Sequence, residues 1–409
     1  MTDRVSGDWL AAPSVQGVLA MLNADGEEAR VAGGAVRNAL QGLPVADVDV
    51  ATTAVPRDVI LRARAAGYKP VPTGIEHGTV TVVAEGQPVE VTTLRRDVET
   101  DGRHARVAFG RDWQADAERR DLTMNALYCD ADGAVFDPVG GLADARSGTV
   151  RFVGDAGARI REDYLRILRF FRFFAWYGQG RPDGDGLRAC AREKEGLDGL
   201  SAERVWQEVS KLLAAPDPVR AVLWMRQTGV LSRVLPESEA WGIDGLAPLV
   251  ALEGEAALAP DPIRRLMAIV RPDAKRMGAL ARRLKVANVV RDRLRAWADA
   301  PGISPLSGTN ELARAMYRHG EQAVIDRLIQ AARGMEGHER ERSLASLAFA
   351  RDWQRPVFPL RGRDLIDAGM KPGPKVSERL RMLEERWVDS DFALTRDALL
   401  QSGSESDAR

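Results

Sequence analysis

A pair of carboxylates follows a pair of glycines early in the chain. Asp47 and Asp49 are two positions apart in an alternating segment that we expect to form a β-strand, so both side chains should point to the same face. Gly33 and Gly34 end a short apolar run and open a helical pattern, which leaves backbone N–H groups free to attract a polyanion. Carboxylates beside bound phosphates suit Mg²⁺. Together the two pairs predict a site that binds a nucleotide and a metal.

Glu90 is a third acidic candidate. It lies in one half of a β-hairpin that we expect from residues 79–83 and 89–94, with Gly86 in the turn. Alone, a strand glutamate between valines is usually an exposed polar position. Beside Asp47 and Asp49 it predicts a catalytic site with two metal ions, in which one ion activates an attacking hydroxyl and the other holds a triphosphate.

Two further segments carry side chains that can bind a nucleotide. Residues 119–126 offer guanidinium groups for phosphate, and Asp and Asn side chains for ribose hydroxyls, although such a cluster is more often a surface ion network. The second segment is an apolar helix expected from Glu162 to Phe174, on which charged residues recur every three positions. The candidates are Arg120, Asp121 and Asn125 in the first segment and Asp163, Arg166, Arg169 and Arg172 in the second.

The charged stripe on this apolar helix needs a polar partner, because unpaired buried charges are costly. An internal Asp163–Arg166 salt bridge is one alternative. The other is base selection, because cytosine and adenine both present an amino group beside an acceptor atom, which an Asp and an Arg can serve. Guanine and uracil would face the carboxylate with a carbonyl and leave it unsatisfied. The stripe therefore predicts selection of C and A against G and U.

These ordered motifs resemble those of the bacterial class II tRNA nucleotidyltransferases, or CCA-adding enzymes, and their relatives the poly(A) polymerases. The likeness is clear over residues 30–240 and weaker to about Phe392. The motifs are Gly33-Gly34-x-x-Arg37 with Asp47-x-Asp49, then Arg119 to Ala126, Asp137-Pro138-x-Gly140-Gly141-x-x-Asp144, Glu162-Asp163-x-x-Arg166, and Ser201-x-Glu203-Arg204.

The resemblance implies an α+β fold, in which a polymerase-β-like nucleotidyltransferase head of mixed sheet and helices precedes an all-α neck, body and tail. We expect the head at 1–152, the neck at 153–213, the body at 214–300, the tail at 301–400 and a disordered C-terminus at 401–409. It also implies Mg²⁺ and the stepwise addition of C, C and A from CTP and ATP to a tRNA 3′ end, without a nucleic-acid template. Neither a membrane nor an obligate protein partner is implied.

The resemblance also assigns roles to residues by motif position. Asp47 and Asp49 would hold the metals and Glu90 would assist them. The residues expected to bind the incoming nucleotide are Gly33, Gly34, Arg37, Arg120, Asp121, Asn125, Asp163, Arg166, Arg169 and Arg172. One departure is Asn38, which stands where the family often has Asp; the change should be mild if this residue only caps or orients the helix.

Composition sets wider limits. The chain has 409 residues, 45% of them hydrophobic and 29% charged, which is enough for several domains. No apolar run approaches the length of a membrane span and the N-terminus does not resemble a signal peptide, so we expect a cytoplasmic location. Cys129 and Cys190 are the only cysteines, which excludes a disulfide framework and a cysteine zinc cluster.

The net charge of −1 is unevenly distributed. Residues 1–150 carry a net charge of −7, whereas the segment from Asp261 to Arg295 has 11 basic residues against three acidic ones. We expect this basic segment to receive the acceptor arm of tRNA, although a solvated helix face is an equally ordinary explanation. The candidate RNA-binding residues are Lys275, Arg276, Arg282, Arg283 and Lys285.

Close alternatives are enzymes that add only CC or only A, or that polymerise A. CC-adding relatives are expected to lack most of the segment from Asp97 to Asp112, which is present here and which we expect to be a mobile loop. The segment from Gly67 to Val83 lacks the basic Gly-Arg-Arg-Phe-like signature of poly(A) polymerases. A small-molecule nucleotidyltransferase would need no long basic helical region, and the intact carboxylates argue against an inactive RNA-binding protein.

Overall fold

The structure, a computed structural model, describes residues 3–101, 104–239 and 241–404. The chain divides into two compact units, Met1–Pro236 (unit 1) and Glu237–Arg409 (unit 2). A mixed sheet with helices occupies the first part of unit 1, and helices make up the rest of both units wherever the chain is described. The predicted α+β class is therefore confirmed, while the boundaries between head, neck, body and tail stay predictions.

Unit 1 is built on a seven-stranded sheet in the order β3-β4-β5-β2-β1-β8-β9. Strands β2 and β5 are parallel, whereas the other neighbours are antiparallel. Strands β6 and β7 form a separate two-stranded ribbon. The strands are β1 Ala29–Ala32, β2 Asp49–Thr52, β3 Lys69–Gly74, β4 Thr79–Ala84, β5 Gln87–Thr93, β6 Arg95–Asp101, β7 His104–Phe109, β8 Tyr128–Cys129 and β9 Val135–Phe136.

The expected hairpin is confirmed as β4 and β5, and its alternation explains how the sheet is covered. Val80, Val82 and Val91 are buried on one face, against which helices α2 and α4 pack. The helices of unit 1 are α1 Asp8–Ala11, α2 Pro13–Leu22, α3 Gly34–Leu40, α4 Pro56–Ala65, α5 Trp113–Glu118, α6 Leu142–Ser147, α7 Ala156–Glu162, α8 Leu165–Tyr177, α9 Gly184–Glu193, α10 Ala202–Leu213, α11 Val219–Gln227 and α12 Val230–Val234. Short 3₁₀ turns occur at Ile75–His77, Thr123–Asn125, Lys194–Gly199 and Pro236–Ser238.

Unit 2 is helical throughout its described residues. Its helices are α13 Leu246–Glu255, α14 Pro262–Ile269, α15 Ala274–Arg283, α16 Asn288–Asp299, α17 Thr309–His319, α18 Glu321–Ala332, α19 Gly337–Asp352, α20 Gly362–Asp367, α21 Pro374–Asp389 and α22 Arg396–Ser404. An aromatic cluster around Tyr317 and Trp387 forms one of its cores. None of the described helices is both long and apolar enough to cross a membrane.

Three expectations about local structure were wrong. Asp49 begins β2, so Asp47 precedes the strand instead of sharing it. The helix expected from Glu162 to Phe174 is interrupted at Asp163, whose backbone is extended (φ −156°, ψ 107°), so α7 ends before it and α8 begins after it.

The third error concerns the segment from Asp97 to Asp112, where the structure has the antiparallel ribbon β6–β7 instead of a loop. Its residues 102–103 lie outside the described part. The sequence gives little alternation there, and the ribbon is a sheet separate from the seven-stranded one. At the C-terminus, α22 extends to Ser404, into the segment expected to be disordered, and residues 405–409 lie outside the described part.

Candidate active site

The turn between β1 and α3 is shaped by Gly33. Its φ of 65° favours glycine, and a Cβ there would lie 3.2 Å from both Arg120 Nη1 and the Asn125 carbonyl oxygen. Gly34 has no comparable constraint, because a Cβ on it would lie 3.7 Å from Arg37 Nη2. Gly33 therefore lets the start of α3 lie against the segment that carries Arg120 and Asn125.

Arg37 is buried, with 5% of its surface exposed, and it lines the cavity of the site. Its Nη1 donates to Asn125 Oδ1, and its Nε and Nη2 both donate to Asn38 Oδ1, at 3.2 and 2.8 Å. The guanidinium lies 3.7 Å from the centre of the Tyr177 ring. Burial lowers the pKa of Arg37, yet these contacts hold it as a fixed cation facing the cleft.

Asn38 also links Arg37 to the segment that precedes Asp47 and Asp49. Its Nδ2 donates to the Pro44 carbonyl oxygen at 2.8 Å, a bond that an Asp at this position could not donate. Asn38 thus orients a side chain of the site, as well as belonging to helix α3.

The carboxylates meet where β2 and β5 run side by side. Asp49 and Glu90 are directly paired across these parallel strands, and both are exposed to the cleft. Desolvation by the surrounding protein raises the pKa of Asp49, and repulsion by Glu90 and Asp47 raises it further, although Arg120 opposes the shift. Asp47 is exposed just before the strand. The structure therefore gathers negative charge at the positions that the sequence predicted.

The donor set can be compared with what a metal needs. Among the described residues, no group of three or more His, Cys, Asp or Glu side chains is already arranged as a metal cage. A divalent cation would nevertheless relieve the mutual repulsion of Asp49, Glu90 and Asp47. Carboxylate oxygens also suit a hard cation that keeps water and phosphate ligands. These residues fit a divalent metal bound together with substrate.

Asp116 organises Arg119 and Arg120, and no sequence motif predicted its role. This residue is 1% exposed, and its carboxylate accepts from Arg119 at 2.6 Å, from Arg120 at 3.2 Å and from the Tyr128 hydroxyl at 2.7 Å. Burial would raise the pKa of Asp116, but Arg120 and Arg119 outweigh it and lower that pKa. Asp116 lies three and four positions before the two arginines, a helical spacing that could have revealed the pairing.

Each arginine of the stripe on α8 has its own carboxylate. Arg166 pairs with Glu162, Arg169 Nε donates to Asp121 at 2.5 Å, and Arg172 Nε donates to Glu208 at 2.6 Å. Asp121 is 9% exposed and Glu208 is 5% exposed. Burial would raise the pKa of Asp121, yet Arg169 lowers it. The expectation that the stripe faces polar partners is confirmed, and Glu208 is a partner that no local pattern indicated.

Asp163 and Arg166 do not pair with each other, so the alternative of an internal salt bridge is wrong. Asp163 Oδ2 accepts from Arg204 Nη2 at 2.6 Å, and Asp163 Oδ1 accepts from the Leu165 backbone N–H at 3.1 Å. Asp163 is only partly covered. Arg204 thus holds one carboxylate oxygen of Asp163 in place, and both residues line the same cavity.

One cavity of about 660 Å³ unites nearly all of these groups. Asp47 does not line it, but the other predicted catalytic and nucleotide-binding residues do. They are Gly33, Gly34, Arg37, Asp49, Glu90, Arg120, Asp121, Asn125, Asp163, Arg166, Arg169 and Arg172, and they are joined by Phe173, Tyr177 and Arg204. The cavity therefore combines clustered carboxylates, fixed guanidiniums and a polar pair suited to a base edge.

The predicted RNA-binding residues lie elsewhere, on and after α15 in unit 2. This helix buries Met277 and Leu280 and exposes Lys275, Arg276 and Arg282. Arg283 is exposed and donates to Glu237 at 2.6 Å, and Lys285 follows the helix with a φ of 48°. The amphipathic helix is confirmed, and the role of its basic face stays a prediction.

Comparison with known proteins identifies the family of this chain. Residues 29–151 match the family described as "Poly A polymerase head domain", and residues 183–241 match "Probable RNA and SrmB- binding site of polymerase A". The chain is 34% identical to CCA tRNA nucleotidyltransferase 1, mitochondrial, of Mus musculus, over 92% of this chain and 86% of that protein. The chain belongs to the family of CCA-adding tRNA nucleotidyltransferases.

Other CCA-adding proteins extend the likeness across the chain. The CCA-adding enzyme of Geobacillus kaustophilus is 34% identical over 92% of each protein. The crystal structure of the Bacillus stearothermophilus CCA-adding enzyme in complex with CTP superposes with a TM-score of 0.78 at 28% identity, covering 97% of this chain and 98% of that one. The resemblance stated from the motifs is confirmed. Membership of this family also implies dependence on a divalent metal.

Proposed function

We propose that the protein adds C, C and A stepwise to the 3′ end of tRNA from CTP and ATP, without a nucleic-acid template. The 3′ hydroxyl oxygen attacks the α-phosphorus, and the bond to the β-phosphate oxygen breaks to release pyrophosphate. The proposal is carried by the cavity that combines the paired carboxylates Asp49 and Glu90 with fixed guanidiniums and with the Asp163–Arg166 pair. The family to which the protein belongs supports the same reaction.

The cleft residues divide into three groups by chemistry. Arg37 and Arg120, each held by hydrogen bonds within the protein, bind the triphosphate as pre-oriented cations. Asp121 and Asn125 lie beside them, where they bind the ribose or fix the arginines. Because these side chains are already ordered, little rotamer freedom is lost when the nucleotide binds.

The acidic residues serve the metal. Asp47 and Asp49 would hold Mg²⁺ with Glu90 beside them, and bound Mg²⁺ would activate the attacking hydroxyl and offset charge on the phosphates. Arg120 opposes the rise in the pKa of Asp49 and so favours the ionised carboxylate. The carboxylates therefore stay available as oxygen ligands opposite the bound triphosphate.

Base choice falls to Asp163 and Arg166. With one oxygen of Asp163 held by Arg204, the carboxylate has a defined orientation for an amino donor. Arg166, held by Glu162, supplies the donor to the neighbouring ring acceptor. One pair of side chains can thus accept cytosine and adenine. The basic face of α15 is our proposed contact for the tRNA acceptor arm, and the cytoplasm stays our predicted location.

The reaction is tested with a tRNA transcript that ends at the discriminator base. The protein is incubated with it and Mg²⁺, and CTP, ATP or both are offered, with products separated at single-nucleotide resolution. We expect two additions with CTP and three with both. A product that stops at CC would indicate a CC-adding enzyme, and addition of a single A only to tRNA ending in CC would indicate an A-adding one. A long ladder of A, or no product, would contradict the proposal. The Asp49→Ala variant serves as the inactive control.

A further inference from the structure

Unit 2 contains a cavity of about 220 Å³ that shares no residue with the active-site cavity. It lies between α14, α16 and α18 and the segment that follows α16. Its lining combines two guanidiniums with large apolar surfaces. The lining residues that matter are Trp241, Met267, Trp297, Ile303, Arg327 and Arg333.

The two arginines of this cavity, both partly buried, differ from the arginines of unit 2 that pair with carboxylates. Arg264 and Arg265 both bind Glu253, at 2.9 and 2.8 Å, and Arg293 binds Asp326 at 2.8 Å. Such pairing is the usual condition for burying a guanidinium, because an uncompensated charge is costly.

In the part of the chain that the structure describes, neither Arg327 nor Arg333 has a carboxylate within ion-pair distance. Arg327 Nη2 donates to the Ala298 carbonyl oxygen at 2.9 Å, and Arg333 Nη1 donates to the Gln330 side chain. Burial lowers the pKa of both guanidiniums, with no carboxylate to oppose it. The cavity therefore holds two charges whose counter-charge is not supplied by neighbouring side chains.

Hydrogen-bond donors at the same place also lack acceptors. The indole N–H of Trp297, a residue only 2% exposed, and the buried Nε of Arg327 have no partner within the described residues. The Arg327 guanidinium lies 5.4 Å from the centre of the Trp297 ring, so both donors belong to one cluster. A buried donor without an acceptor is costly, and an oxyanion in the cavity would accept hydrogen bonds from the guanidinium groups that line it.

We propose that this cavity binds a phosphate group, held by Arg327 and Arg333. Trp241, which is 45% exposed and lines the cavity, offers a flat apolar surface beside it. A phosphate attached to a nucleoside would place its base or sugar within reach of such a surface. The ligand class is therefore a phosphate group, either free or carried by a nucleotide.

This phosphate has two possible sources, a backbone phosphodiester of bound RNA and a free nucleotide or inorganic phosphate. Both present the same oxygen acceptors, so the cavity itself does not separate them. The site can be tested with inorganic phosphate alone, which does not depend on the proposed nucleotide addition. Failure of the site and failure of the proposed function can therefore be distinguished.

The experiment follows the indole N–H signal of Trp297 by ¹⁵N NMR in the full-length protein, with the signal assigned through a Trp297→Phe variant. Inorganic phosphate is titrated first, and a tRNA transcript lacking its terminal CCA is titrated separately. The variants are Arg327→Gln and Arg333→Gln. The matched control is Arg381→Gln, which removes an exposed arginine of α21 that does not line the cavity.

We expect the Trp297 signal to move on titration, and the apparent Kd to rise at least fivefold in Arg327→Gln and Arg333→Gln but not in Arg381→Gln. A shift with phosphate but not with tRNA assigns the site to free anions, and a shift with tRNA, whether or not phosphate also gives one, assigns it to a backbone phosphodiester. If neither ligand moves the signal, or if all three variants weaken binding equally, the proposal is wrong. Each variant's far-UV spectrum is compared with that of the parent to verify folding.

Discussion

Asp163 Oδ2 accepts a hydrogen bond from Arg204 Nη2 at 2.6 Å, although the two residues are 41 positions apart in the chain. The contact fixes a carboxylate that lies between α7 and α8, outside either helix. A side chain at such a break has freedom that a helical residue lacks, so its orientation depends on this partner. Arg204 is therefore a positioning residue for the proposed base contact.

Asp163→Ala should loosen nucleotide choice more than it weakens tRNA binding. Removing one hydrogen bond to a charged group costs about 1.5–3 kcal/mol, or roughly 10–100-fold in the preference for CTP over UTP. Arg204→Ala should give a smaller loss in the same direction. The measurement is single-turnover incorporation of each nucleotide, together with the Kd for tRNA. Asp185→Ala, on an exposed surface, is the control. Wild-type discrimination in Asp163→Ala would refute the base-contact role.

Asn38 can be tested with two variants that differ in one property. Asn38→Ala removes the acceptor that holds Nε and Nη2 of Arg37, so we expect KM for CTP to rise roughly tenfold, the effect of about 1.4 kcal/mol. Asn38→Asp keeps an acceptor oxygen and loses only the bond to the Pro44 carbonyl, so its KM should stay near that of the wild type. Steady-state kinetics decide the matter. Equal effects of the two variants would show that Asn38 does not act through Arg37.

Asp116→Ala should destabilise the protein strongly, because two arginines and a tyrosine hydroxyl would lose a buried partner. Breaking a buried ion pair costs about 3–5 kcal/mol. Tyr128→Phe removes two hydrogen bonds of the same cluster, one donated to Asp116 and one accepted from Arg120 Nε, but leaves both ion pairs, and should cost about 2 kcal/mol. Urea unfolding followed by circular dichroism gives the free energy of unfolding for each. Similar losses in both variants would mean that Asp116 does not organise the cluster.

The raised pKa of Asp49 has a consequence for stability without metal. A carboxyl whose pKa is higher in the folded state favours folding while it is protonated, and this contribution is lost as pH rises through the folded-state pKa. With chelator present, Asp49→Asn should therefore raise Tm at neutral pH and change it little below about pH 3.9, where the acid is protonated in both states. The same variant should be inactive, because an oxygen ligand for the metal is lost.

Thermal unfolding of both proteins across this pH range tests the prediction. Asp132→Asn, at an exposed position remote in sequence from the acidic cluster, controls for the loss of one negative charge. An unchanged or lower Tm for Asp49→Asn at neutral pH would mean that neither desolvation of Asp49 nor its repulsion by Glu90 and Asp47 is significant in the metal-free protein.

Short motifs let the sequence identify most of the site. Gly33 and Arg37, or Asp121 and Asn125, are close enough along the chain that one turn or one helical step fixes their relation. The alternation in β5 placed Glu90 on a strand, and the structure pairs that strand with the one that begins at Asp49. The prediction of local conformation was wrong where apolar periodicity gives no signal, as at Asp163 and in the ribbon β6–β7.

By itself, the sequence determined the types of group in the site, their order along the chain and the family to which the chain belongs. The tertiary structure decided which charges neutralise each other, since Arg169 meets Asp121 and Arg172 meets Glu208 across separations of 48 and 36 residues. Several carboxylates have the right chemistry for each arginine, and only packing brings one of them within hydrogen-bond distance. The same is true of Arg204 and Asp163, because the break between α7 and α8 leaves that carboxylate free to meet a residue from α10.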